Sequence, residues 1–153
     1  MRKKLALLAL TAFLAIQLVP APAADNPPSD PNRAFHTVMQ PPPDVHAILR
    51  RACYDCHSNE TKWPWYAYVA PVSWPVRDHV LKGRKHLNFS EWLKPGEKQF
   101  TSWSDLEEIA QSVADQSMPL PGYDLMHPEA KLTPAERETV SRWADAAIGV
   151  PRP

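Results

Sequence analysis

Apolar residues recur at the three- and four-residue spacing of amphipathic helices in four segments of the chain. The clearest stripe consists of Val45, Ile48, Leu49 and Ala52. Together the four segments predict helices over about residues 44–53, 73–83, 104–117 and 133–149. The alternation of apolar and polar residues that is typical of a strand does not stand out, so the pattern predicts a mainly α domain.

Polar residues and glycines at the ends of these stripes predict where the helices begin and end. Ser104 with Glu107, and Thr133 with Glu136, have the spacing of a capping box. Gly83 follows the second stripe, where a glycine commonly ends a helix. Most of the 18 prolines lie outside the predicted helices, so we expect long, stiff, proline-rich loops around about four helices.

The first 23 residues have the pattern of an export signal. Arg2, Lys3 and Lys4 precede an apolar run over residues 5–19, and residues 21–23 (Ala-Pro-Ala) fit a small-residue cleavage site. This run is shorter than the roughly 20 residues that cross a bilayer, which favours cleavage. An uncleaved membrane tether is the alternative, because Pro22 lies inside the cleavage motif. We therefore expect a periplasmic protein, anchored to the inner membrane in the second case.

The next segment, 24–43, is rich in proline and polar residues and has no sustained apolar period. We interpret it as an extended linker. The remaining segment, 44–150, has a length suited to one domain. The formal net charge is 0, so electrostatics gives no reason to expect nucleic acid as a partner.

The stretch 53–57 (CYDCH) has the C-x-x-C-H pattern of a c-type haem attachment site. Thiols at the spacing of Cys53 and Cys56 can each add across one vinyl group of the porphyrin, and the imidazole of His57 then lies where it binds the iron. The chain has 2 cysteines, both in this motif, so one covalently bound haem c is predicted. A thioredoxin-type site would need a βαβ setting and a structural zinc site a second ligand pair; the sequence shows neither.

An aromatic, proline-containing segment follows the motif. Trp63, Trp65 and Trp74 are candidates for the apolar wall of a haem site, with ordinary packing away from the haem as the alternative. Arg84 and Lys85 are candidates for charge-assisted hydrogen bonds to haem propionates. The alternative for these two cations is a solvated basic face.

Methionine and histidine are both candidates for the second axial ligand of the iron. Met118 opens a proline-rich loop after the third predicted helix, and its thioether raises the iron potential relative to histidine. Its alternative role is to fill a hydrophobic gap. His86 is the rival iron ligand, or a hydrogen-bond partner of a propionate. His79 and His127 are better suited to hydrogen bonds in the core and in a loop.

A helix that ends in C-x-x-C-H, a methionine loop and a C-terminal amphipathic helix together resemble the class I cytochrome c plan. Over residues 44–148 the chain is more specifically similar to a small bacterial haem-binding domain family. The matching segments are 53–61 (CYDCHSNET), 63–66 (WPWY), 70–74 (APVSW), 86–92 (HLNFSEW), 118–119 (MP) and 127–132 (HPEAKL). The resemblance implies a single cytochrome c-like domain around one haem, and it indicates cofactor and fold more than physiological role.

These observations favour an exported monohaem c-type cytochrome that transfers electrons to redox partner proteins. The first alternative is a haem-based sensor or peroxidase-like enzyme, in which Met118 leaves the distal site open. The second is a haem-carrying module of a larger membrane complex, suggested by the proline-rich linker. No residue pattern indicates a catalytic substrate, so an electron carrier is favoured over an enzyme.

Overall fold

The computed structural model describes residues 1–97, 99 and 101–149. The α-helices of this part of the chain are Arg2–Ile16 (α1), Phe35–Met39 (α2), Pro43–Ala52 (α3), Tyr54–His57 (α4), Ser73–His86 (α5), Trp103–Ala114 (α6) and Pro134–Ala147 (α7). The 3-10 helices are Pro31–Arg33, Trp65–Tyr68, Phe89–Glu91, Tyr123–Leu125 and Pro128–Ala130. The described residues contain no strand, so the prediction of a mainly α, single-domain fold is confirmed.

The core forms where the apolar stripes of α3, α6 and α7 meet. Leu49 of α3, Leu106 of α6 and Val140 of α7 are completely buried in one cluster. Helices α6 and α7 pack along each other, and the buried Ser141 hydroxyl donates a hydrogen bond to the Ala110 carbonyl at 3.0 Å. The short helix α4 continues from α3 and packs against α5. The C-x-x-C-H motif therefore lies between the core helices and α5.

Arg51, near the end of α3, joins this helix to the start of α7. Its guanidinium donates hydrogen bonds to the Glu129 carbonyl and to the Glu136 carboxylate. Glu136 also belongs to the capping box of α7: its N–H donates to the Thr133 hydroxyl at 3.2 Å, and its carboxylate accepts from the Thr133 N–H at 2.8 Å. The capping box predicted at this position is thus present.

Other predicted helix ends differ from the structure. Ser104 lies inside the first turn of α6 and does not cap it, since the helix begins at Trp103. Gly83 does not end α5, which continues to His86. The glycine serves close packing instead, because α5 contacts the backbone of Cys56 at this position.

The segment interpreted as an extended linker contributes to the core. Phe35 of α2 has no exposed surface, and its ring packs edge-on against Phe89, Trp92 and Trp143 at centroid distances of 5.0, 4.9 and 5.6 Å. Residues 31–39 thus differ from the expected extended conformation. The physical reason is that one large aromatic side chain anchors a helix of 5 residues, which is too short to display a period.

Helix α1 has no buried residue. Directly after it, Gln17 exchanges two hydrogen bonds with the backbone of Ala70, at 3.1 Å and 2.9 Å. Among the described residues, no helix combines the length and apolar character needed to cross a bilayer.

Candidate functional site

Cys53, Cys56 and His57 line one cavity of about 340 Å³, a size found for small-molecule sites. The cavity lies between the C-terminal end of α3, helices α4, α5 and α6, and the loop that follows α6. Its walls are mainly apolar and include Ala52, Leu87, Phe89, Ile109, Val113 and Leu120. The structure thus brings the three motif residues to one apolar site.

Neither cysteine of the motif forms a disulfide. Burial raises the pKa of the Cys53 thiol to about 12 and that of the Cys56 thiol to about 11. Both groups are therefore protonated at neutral pH. Thiol–disulfide exchange depends on a lowered thiol pKa, so this environment is unlike that of a thioredoxin-type redox pair.

His57 is held by the segment that follows α5. Its Nδ1 lies 3.2 Å from the Leu87 carbonyl oxygen, so Nδ1–H donates to this carbonyl and Nε2 keeps its lone pair. Burial lowers the pKa of the imidazole, which favours the neutral form. A neutral imidazole with a free Nε2 is the form that binds a metal ion.

Both candidates for the second axial ligand line the same cavity. Met118 is half-buried at the start of the loop after α6. His86, at the end of α5, is exposed, and its Nε2 lies 2.7 Å from a carboxylate oxygen of Glu108. The site therefore brings together Cys53, Cys56, His57, Met118 and His86 among the residues predicted from the sequence.

None of the three predicted tryptophans is among the described residues that line this cavity. Trp63 lines a neighbouring cavity of about 160 Å³, which shares Cys56, His79, Leu120 and Tyr123 with the first. Trp65 is 73% exposed, and Trp74 is half-buried at the start of α5. The aromatic wall of the main cavity includes Phe89 and Tyr123 instead, neither of which was predicted.

Arg84 holds the chain segments that surround the motif and is absent from the described lining of the main cavity. It donates hydrogen bonds to the carbonyls of Ser58 and Asp25 at 2.7 Å and 2.9 Å. It also donates to the side-chain oxygens of Asn26 and Thr61, each at 2.8 Å. Its donors are thus committed to the loop after the motif and to the segment that precedes α2.

Tyr123 is a functional candidate that sequence reasoning missed. It lines both cavities, and its hydroxyl donates a hydrogen bond to the Asp55 carboxylate at 3.1 Å. Burial raises the pKa of this phenol, so it remains a donor at neutral pH. The contact joins the C-x-x-C-H motif to the loop after Met118, but a tyrosine in a loop gives no signal of it in the sequence.

The side chains that line the cavity fit a haem that is held at one edge of the porphyrin and at its iron. Two protonated thiols and one neutral imidazole line the same apolar cavity, with a thioether among the other lining groups. Among the described residues, no group of three or more His, Cys, Asp or Glu side chains could hold a metal ion. A haem iron needs only one or two ligands from the protein, because the porphyrin supplies the others.

Comparison with known proteins agrees with this geometry. A family model described as "haem-binding domain" matches residues 11–146, a range that includes the motif, the segment 24–43 and most of α7. No curated protein and no solved structure matches the chain.

Proposed function

The chain belongs to the haem-binding domain family, and on that premise we propose that this haem protein is a monohaem c-type cytochrome that transfers electrons outside the cytoplasm. The observation that carries the proposal is the shared cavity of Cys53, Cys56, His57 and Met118. Bound haem supplies one-electron chemistry through the Fe(III)/Fe(II) couple. The roles of the protein are to attach the group, to supply its axial ligands and to exclude water.

Cys53 and Cys56 attach the porphyrin in this proposal. Each thiol adds across one vinyl group: the sulfur bonds to one vinyl carbon, and the thiol hydrogen is transferred to the other. No oxidant or reductant is consumed. Both cysteines are free thiols in the structure, and the thiol carries the hydrogen that the addition needs.

His57 and Met118 are the proposed axial ligands. The hydrogen bond from His57 Nδ1–H to Leu87 orients the imidazole and leaves Nε2 free, so His57 would bind the iron of a haem in this cavity. The thioether of Met118 would supply a second ligand, and the apolar walls would exclude water. With both positions filled, the protein changes redox state without binding an external ligand. Its partners are expected to be redox proteins that dock through small, weak interfaces.

Optical and near-infrared spectra of the holoprotein test the assignment of Met118. We expect a methionine-to-ferric-iron charge-transfer band that is lost in Met118→Ala, with a fall in reduction potential. Met126→Ala is the matched control, because Met126 lies in the same loop, is 60% exposed and is not among the described residues of the cavity. A high-spin ferric spectrum and rapid carbon monoxide binding by the native ferrous protein would contradict the proposal.

An open-site sensor or peroxidase-like enzyme is the second candidate function. The observation in its favour is the His86–Glu108 pair, an acid–base couple that lines the same cavity as Met118. Steady peroxide turnover that is lost in His86→Gln would support it. A bis-histidine spectrum that changes in the same variant would instead make His86 the second axial ligand.

Periplasmic localisation is proposed from the export signal, with α1 as either a cleaved signal or a membrane tether. The uncleaved form remains the alternative, and hydrogen bonds between the domain and the segment up to the expected cleavage site support it. Gln17 bonds Ala70, and Arg77 donates to the Pro22 carbonyl at 2.8 Å. The intact mass of the protein from the membrane and soluble fractions tests both forms, because cleavage after Ala23 removes 23 residues.

A further inference from the structure

We infer that Arg137, in the first turn of α7, is the positioning residue that holds Met118 for the haem iron. The inference rests on the proposed ligand role of Met118 and assigns a role to a side chain outside the main cavity. Two sets of contacts support it: those of the Met118 backbone, and those of Glu136 and Arg137, which are adjacent in the chain.

Arg137 binds two carbonyls at the C-terminal side of α6. Its Nη1 donates to the Val113 carbonyl at 3.0 Å and to the Met118 carbonyl at 2.9 Å. Val113 lies in the last turn of α6, where helix carbonyls lack a partner within the helix and a cation is favourable. The half-buried guanidinium thereby connects the end of α6 to the first residue of the methionine loop.

The other polar backbone group of Met118 is bound as well. The Met118 N–H donates to the Ser112 carbonyl of α6 at 3.1 Å. The N–H is thus held by α6 and the C=O by α7, so the main chain of Met118 is fixed relative to both helices. The position of the thioether then depends only on the side-chain torsions of Met118. Because the main chain is already ordered, placing the thioether at the iron costs less conformational entropy.

The preceding residue, Glu136, binds Arg51 of α3. Helix α3 leads directly into Cys53, Cys56 and His57. Adjacent residues in the first turn of α7 therefore bind the helix that leads into His57 and the loop that begins with Met118. This turn sets the separation of the two proposed iron ligands.

Arg142 is a matched control on the same helix. Its side chain is 71% exposed and interacts with Glu138 four residues earlier, at 3.6 Å. Arg137→Gln and Arg142→Gln make the same chemical change on one helix, yet only the first removes contacts to the methionine loop. Arg137→Lys keeps the charge but has a single, shorter donor group.

The test compares native holoprotein with Arg137→Gln, Arg137→Lys, Arg142→Gln and Met118→Ala. The readouts are the charge-transfer band, the affinity of the ferric haem for added imidazole and the hydrogen exchange of the backbone amides at positions 116–118, 120 and 122. For Arg137→Gln we expect a weaker band, faster exchange and imidazole binding about tenfold tighter, which corresponds to about 1.4 kcal/mol. Arg137→Lys should lie between it and the native protein, and Arg142→Gln should match the native protein.

If Met118→Ala alters the band and the imidazole affinity while Arg137→Gln does not, the inference is overturned and the proposed ligand stands. If Met118→Ala alters neither, the ligand assignment and the inference both fail. If Arg137→Gln does not yield folded holoprotein, Arg137→Lys decides the question. A Lys variant with native helix content, a native charge-transfer band and native imidazole affinity overturns the inference. A Lys variant with native helix content and a weaker band supports it.

Discussion

An alanine in place of Gly83 would put its Cβ 2.4 Å from the carbonyl oxygen of Cys56. This separation is far below van der Waals contact, and the opposing atom belongs to the backbone of the C-x-x-C-H motif, which cannot rotate away. Helices α4 and α5 therefore pack with their main chains in direct contact. The contact places the end of α5, which leads into Leu87, beside the motif, where Leu87 accepts the hydrogen bond of His57.

Gly83→Ala should destabilise the protein, although the same change in a helix interior normally stabilises it by about 1 kcal/mol. We expect a loss of about 1–3 kcal/mol from overpacking, together with lower haem incorporation. Denaturant unfolding and the haem-to-protein absorbance ratio measure the two effects. Leu81→Ala, at an exposed position of the same helix and outside the described cavity lining, is the control. A stabilised Gly83→Ala variant would show that α4 and α5 do not pack as described.

Covalent attachment predicts a simple pattern in cysteine variants. Cys53→Ser or Cys56→Ser alone should retain haem after denaturation through the remaining thioether, whereas the double variant should release it. Mass spectrometry of the denatured chain should find one haem per protein. Thiol alkylation provides a second measure, because no free thiol should remain in the holoprotein. Haem extracted from the denatured native protein would refute covalent attachment.

Glu136 should make stability depend on pH. The hydrogen bond from the Thr133 N–H and the Arg51 guanidinium lower the pKa of this carboxyl below its ordinary value of 4.5. The stabilisation from a lowered carboxyl pKa is complete above the unfolded-state value and is lost as pH falls through the folded-state value. Glu136→Gln keeps an acceptor for the Thr133 N–H but loses the charge that faces Arg51, so it should cost up to about 1 kcal/mol at pH 7, and the difference should shrink below pH 4.5.

Urea unfolding between pH 7 and pH 3 measures this dependence. Glu138→Gln is the matched control, since Glu138 lies on the same helix and forms an exposed pair with Arg142. We expect its effect to stay below about 0.5 kcal/mol. If the free energies of unfolding of the native protein and Glu136→Gln differed by the same amount at every pH between 7 and 3, the carboxylate charge would contribute nothing to stability.

Phe35→Ala tests the contribution of α2 to the core. Phe35 is fully buried among Phe89, Trp92 and Trp143, so its truncation should cost about 3–5 kcal/mol in unfolding experiments. Trp65→Ala within the domain is the control, because Trp65 is 73% exposed. An effect of Phe35→Ala as small as that of the control would mean that residues 24–43 are a linker after all.

Features that depend on near neighbours in the chain were predictable. The stripes predicted the four main helices of the domain, and the spacing of Thr133 and Glu136 predicted a capping box. The motif 53–57 predicted a haem protein, which agrees with the family to which the chain belongs. Each of these signals arises from residues within one or two helical turns of one another, where chain geometry alone sets the distances.

Only the tertiary structure decided which distant residues share the site. It brought Met118 and His86 to the cavity of the thiols, turned Arg84 toward Asp25 and Thr61, and exposed Trp65. Gly83 had the sequence pattern of a helix end, yet its role follows from the contact with Cys56. The physical reason is that side chains tens of residues apart meet through helix packing, so their distances depend on the whole core rather than on local spacing.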